Sequence, residues 1–103
     1  MILHIIPDEK WTLPFIEKVN DYFSKDEHHF IVYSKNGIFL FDYKNKELPN
    51  VEVAIGKLFK NIDFSTIDKS RIIIVHSLFY PITDLIKLSK ISGKKLIWFI
   101  FKT

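Results

Sequence analysis

Three apolar runs of strand length set the limits on what this chain can fold into. Ile2-Leu3-His4-Ile5-Ile6, Arg71-Ile72-Ile73-Ile74-Val75 and Leu96-Ile97-Trp98-Phe99-Ile100-Phe101 show almost no alternation of apolar with polar residues. A strand with one wet face alternates with a period of two, so continuous runs belong to strands covered on both faces, the usual condition of a parallel sheet. Helical periodicity lies between them. Phe15, Ile16, Val19, Tyr22 and Phe23 recur at spacings of three and four, which predicts an amphipathic helix over residues 13–23 with Thr12 as N-cap and Pro14 in the first turn. Pro81 opens a second such helix, striped by Leu85, Ile86, Leu88 and Ile91 and stopped at Ser92-Gly93.

The stretch between these clear elements is read more coarsely. Phe30-Ile31-Val32-Tyr33 predicts a strand, and Asn36-Gly37 follows it. Three alternatives stand for Ile38-Phe39-Leu40-Phe41: the second arm of an appended hairpin, a short edge strand, or a loop. Residues 51–55 alternate like a strand, and residues 58–67 form either a short helix or an irregular crossover. Alternation of strands with helices is the order of stacked βαβ units. The expected fold is therefore α/β, a three-layer Rossmann-like domain with a mostly parallel sheet, in which strand one and the strand before His76 are central neighbours.

At 103 residues, 48% hydrophobic and 16% aromatic, the chain suits one domain with one core over residues 1–103. It contains no cysteine, which removes disulfides and thiolate metal sites and fits a reducing compartment. No apolar run approaches the roughly 20 residues of a membrane helix, and the start lacks the basic and cleavage regions of a secretory leader, so a cytoplasmic location is expected. A net charge of +3 without an Arg/Lys-rich helix or an aromatic ribonucleoprotein motif argues for no nucleic-acid partner.

Ligands of open parallel sheets bind beyond the carboxyl ends of the strands. The residues to weigh are thus Asp8, Glu9, Lys10 and Trp11 after the first strand, and His76 and Ser77 after the 71–75 run. An imidazole at a strand end can serve as acid, base or partner of a sugar hydroxyl near neutral pH; equally, it can be a histidine hydrogen-bonded to a neighbouring loop. Trp11 and Tyr80 can stack on a sugar ring, meet a lipid interface, or cap the core. His4, inside a strand, reads as structural. His28 and His29 are adjacent at a strand start and point to opposite sides, so they are poorly placed to share one metal ion. Gly37, Gly56 and Gly93 are isolated, which leaves no dinucleotide or P-loop fingerprint, and Ser77 lacks the glycines of a nucleophile elbow. Neither a cofactor nor a metal is expected.

Three segments carry a resemblance: residues 2–11, then Val75-His76-Ser77-Leu78-Phe79, then Lys94-Lys95-Leu96-Ile97-Trp98-Phe99. In order and phrasing they resemble the N-terminal half of bacterial TDP-N-acetylfucosamine:lipid II N-acetylfucosaminyltransferases and related two-domain GT-B glycosyltransferases. The resemblance implies an acceptor-side domain, lined by Asp8, Lys10, Trp11, His76 and Ser77, which names no catalytic residue. It implies a lipid-linked glycan acceptor, a nucleotide-sugar donor held mainly by a second domain, inactivity of this half alone, and peripheral contact with the inner face of the cell membrane. Where the family continues into a Trp-Gly-x-Asp-x-Tyr-like segment, this sequence has Phe101, Lys102 and Thr103. The alternative is a non-enzymatic Rossmann-like binding or interaction module. Ten Phe in so short a chain, with the aromatic run at its end, lead to the further expectation of an exposed apolar patch and a homodimer.

Overall fold

The computed structural model describes residues 1–34, 36–55, 69–76 and 95–98. Five strands, β1 (Ile2–Pro7), β2 (His28–Ser34), β3 (Val51–Ile55), β4 (Ile72–Val75) and β5 (Lys95–Trp98), form one sheet in the order β3-β2-β1-β4-β5. Every pairing is parallel. The α/β reading holds, and β1 and β4 are adjacent at the centre as their unbroken apolar runs require. The helix expected from Pro81, the 58–67 crossover, Gly56 and Gly93, and the aromatic residues Phe79, Tyr80, Phe99 and Phe101 lie outside the described residues.

Pairing register sorts the side chains between two faces. His4 pairs with Phe30 and Ile6 with Val32, while Phe30 pairs with Val51. Helix α1 (Thr12–Tyr22) covers this side, burying Leu13 and Ile16 against Ile6, Phe30, Val32 and Tyr43. On the opposite side Leu3, Ile5, Ile31, Ile73 and Val75 are each 0–1% exposed, so the centre of the sheet is dry on both faces. Each such large aliphatic side chain contributes about 1.5–3 kcal/mol on burial.

One detail differs from the sequence reading, and a second decides between its alternatives. First, the residue before the helix is Trp11, with no side-chain cap, and the helix begins at Thr12. The Thr12 hydroxyl instead donates to Pro7 O and accepts from Glu9 N at 2.9 Å, closing the turn between strand and helix. A threonine already inside the first turn points back at the strand end, where the carbonyl of Pro7 needs a donor more than the helix does.

Second, of the three alternatives for residues 38–41 the loop is the one observed. β3 occupies the edge of β2 that a hairpin arm would need. Gly37 turns the chain in a left-handed conformation (φ 78°), and the Asn36 side chain accepts from Ile38 N at 3.0 Å. Leu40 N then donates to Asp8 Oδ2 rather than to a strand. Asn50 pins the entry to β3: it is buried, donates to His28 O and Asn20 Oδ1, and its own carbonyl accepts from Phe30 N.

Candidate functional site

The strand order reverses direction at β1. From β1 the chain steps outward to β2 and β3, then returns to β4 and β5 on the other side, so the switch point lies between the carboxyl ends of β1 and β4. Beyond those ends stand the 8–11 loop and His76. Continuing the ladders, His76 N donates to Ile5 O at 2.9 Å and Asp8 N donates to Tyr33 O at 3.0 Å.

A cleft of about 550 Å³ opens next to this point, over the ends of β1 and β2. Pro7, Asp8 and Glu9 form one wall, Tyr33 and Ser34 the floor, and Asn36, Ile38 and Leu40 the other wall. The volume is that of a small-molecule site. Its rim combines carboxylate, hydroxyl and amide groups with two strongly exposed aliphatic side chains, Ile38 and Leu40.

The sequence candidates divide by position. Asp8 reaches the cleft, but its carboxylate also anchors the far wall: Oδ1 accepts from the Tyr43 hydroxyl at 2.6 Å and Oδ2 from Leu40 N. Burial, reinforced by the bond to Asp8, pushes the Tyr43 hydroxyl's pKa well above the ordinary phenol range. Lys10 is exposed at the tip of the loop. Trp11 turns away from the cleft toward Phe15 and His76, at centroid distances of 6.4 and 6.5 Å. Ser77 lies outside the described residues. Asp8 and Glu9 are thus brought together with Ser34 and Asn36, two polar residues that sequence reasoning passed over; their position straight after a strand was the available signal.

His76 is placed differently from an imidazole facing an open crevice. It is buried beneath Trp11 and Phe15, and its Nε2 is hydrogen-bonded to Nδ1 of His4 at 2.8 Å. The other ring nitrogen of His4 is hydrogen-bonded to Nδ1 of His28, also at 2.8 Å. Phe30 stacks on the His4 ring at 4.6 Å and Phe15 meets it edge-on at 6.0 Å. Burial among these rings lowers the pKa of His4 to about 3, helped by the neighbouring His76 and His28, and burial lowers that of His76 to about 4. Burial also depresses His28, partly countered by Glu27. All three are neutral at pH 7.

His29 points to the opposite face and meets Glu52 Oε2 at 2.9 Å, so the adjacent histidines are separated as strand geometry demands. Among the described residues no group of three or more His, Cys, Asp or Glu is arranged to hold a metal ion, and no helix is long and apolar enough to cross a membrane. Comparison with known protein families, with curated proteins and with solved structures finds no match to this chain.

Proposed function

We propose that the chain is the acceptor-side domain of a glycosyltransferase that moves an amino-deoxy sugar from a nucleotide carrier to a lipid-linked glycan, in the manner of the two-domain enzymes its sequence resembles. What supports this reading is the cleft at the carboxyl edge of a parallel sheet, beside the switch point, with Glu9, Ser34 and Asn36 on a polar rim and Ile38 and Leu40 exposed next to them. Sugar hydroxyls need donors and acceptors of the first kind. A prenyl tail leaving the site is met by side chains of the second kind, which also suit a position at the cytoplasmic face of a membrane. The donor sugar nucleotide belongs to a second domain in this reading, so the 103-residue chain is inactive alone, because half a cleft cannot orient both reactants.

The test is a titration of the labelled chain with a short-chain prenyl-diphosphate disaccharide and, separately, with a TDP-sugar, followed by amide shifts. Saturable shifts at Glu9, Ser34 and Asn36 with the glycan alone are expected. No response to the glycan, or turnover of a nucleotide sugar by the isolated chain, overturns the reading. A second reading, a binding module without catalysis, is favoured by one observation: Asp8 is engaged with Leu40 and Tyr43, and His76 is buried, so neither stands ready in the cleft as a general base.

A further inference from the structure

His28 is the first residue of β2, His4 lies in the middle of β1, and His76 follows β4. Parallel registers pair Ile2 with His28 and His4 with Ile74, so the three rings lie on one face, along a diagonal that crosses three adjacent strands. Successive rings are 5.1 Å apart, tilted by 26° to each other. We infer that His28, His4 and His76 form one tautomer-coupled proton relay, joining the amino edge of the sheet at β2 to the carboxyl edge at β4, beside the 8–11 loop.

The coupling follows from counting protons. A neutral imidazole carries one N–H and one acceptor nitrogen. His4 uses both nitrogens, so it must donate to one neighbour and accept from the other. If His28 donates from Nδ1 to His4 Nε2, the proton of His4 is on Nδ1 and is donated to His76 Nε2, which leaves the proton of His76 on Nδ1. If His76 donates from Nε2, the proton of His4 is on Nε2 and that of His28 is on Nε2 as well. All three rings therefore share one tautomer, Nδ1–H or Nε2–H, and none can change alone without breaking a bond.

Conversion between the two states is a balanced transfer. Starting from the Nε2–H state, a proton supplied by water or hydronium arrives on His76 Nδ1. The proton on His76 Nε2 passes to His4 Nδ1, that on His4 Nε2 passes to His28 Nδ1, and that on His28 Nε2 leaves to water. No net charge stays behind, and the reverse sequence carries a proton the other way. Among the described residues the path is lined by aromatic rings: Phe15 and Phe30 enclose His4, Trp11 and Phe15 cover His76, and Phe23 lies against His28. Charged groups act at one end, where the Glu27 carboxylate and the N-terminal amine pull His28 in opposite directions. The histidine relay thus stands on its own observations, apart from the glycan reading.

Long-range proton–nitrogen correlation spectra of the labelled chain at about pH 7 read the tautomer of every imidazole directly. His4, His28 and His76 are expected to show the same Nδ1–H to Nε2–H ratio, whatever ratio His29 shows on the other face. Opposite tautomers on any two of the three overturn the relay. In the variant His28→Phe, which keeps a ring against Phe23, the ratio at His76 is expected to shift although that ring is two steps away. An unchanged His76 ratio in a variant with a native backbone spectrum overturns the coupling, and the wild-type comparison decides the matter without the variant.

Discussion

Acidification from about pH 7 to pH 4.5 should remove much of this domain's stability, and the size of the effect follows from the buried histidines. In an unfolded chain a histidine titrates at 6.5, whereas burial holds His4 near 3 and His76 near 4 in the fold. The folded pKa values lie below the unfolded ones, so the fold prefers the neutral rings. Its advantage is complete above about pH 6.5 and is lost as pH falls toward the folded values. At pH 4.5 each ring has lost about 2.5 kcal/mol relative to neutral pH, about 5 kcal/mol for the pair. That is comparable with the whole stability of a marginal domain, about 5–15 kcal/mol. Between about pH 6 and 4.5 the two rings give an average slope of about 2.4 kcal/mol per pH unit. Urea unfolding followed by far-UV circular dichroism at several pH values measures it. In His4→Phe, which keeps a ring between Phe15 and Phe30, the slope should fall by about half. A stability that is flat over this window, or a variant with the wild-type slope, would refute the burial argument.

Three further outcomes follow from the same contacts. Thr12→Val leaves Pro7 O and Glu9 N without the hydroxyl that joins them in a partly buried turn, and should cost about 1–2 kcal/mol in thermal or urea unfolding. Tyr43→Phe removes one of the two donors that tie Asp8 to the far wall of the cleft; a loss of about 1–2 kcal/mol and faster hydrogen exchange at Leu40 N are expected. The chain should also dimerise with concentration in light scattering, through exposed apolar side chains that include Ile38 (74% exposed), Leu40 (60%) and Ile55 (48%). Ile38→Lys combined with Leu40→Lys should restore the monomer, and a wild-type chain that stays monomeric at high concentration would dismiss the patch.

How far the sequence could be read depended on whether a property was local to a run of residues or arose between runs. Residues 2–6 and 72–75 announced double burial because every residue in them except His4 is large and apolar, and a parallel sheet with those strands side by side was the direct consequence. The 38–41 segment left its reading open, since its composition suits a strand and the deciding facts were elsewhere: β3 claims the edge of β2, and Asp8, some thirty residues earlier, captures Leu40 N. The cleft was half legible for the same reason. Asp8 and Glu9 stood at a strand end and were considered, but Ser34 and Asn36 became wall and floor only once β2 was registered against β1.

The histidines carry this logic furthest. Each taken singly invites a bland reading, because His4 sits in a strand, His28 in a charged turn and His76 at a strand end. What makes them one object is parity: with His4 opposite Phe30 and Ile74, positions 28 and 76 are each two residues from a direct partner and so share its face. A slip of one residue in either pairing would send His28 or His76 to the other side of the sheet and leave His4 with a buried nitrogen lacking a partner, a loss of about 1–3 kcal/mol. The hydrogen bonds on both sides of His4 therefore help to select the register that creates them. This accounts for a polar residue within a strand whose flanking residues, Leu3 and Ile5, are almost completely buried.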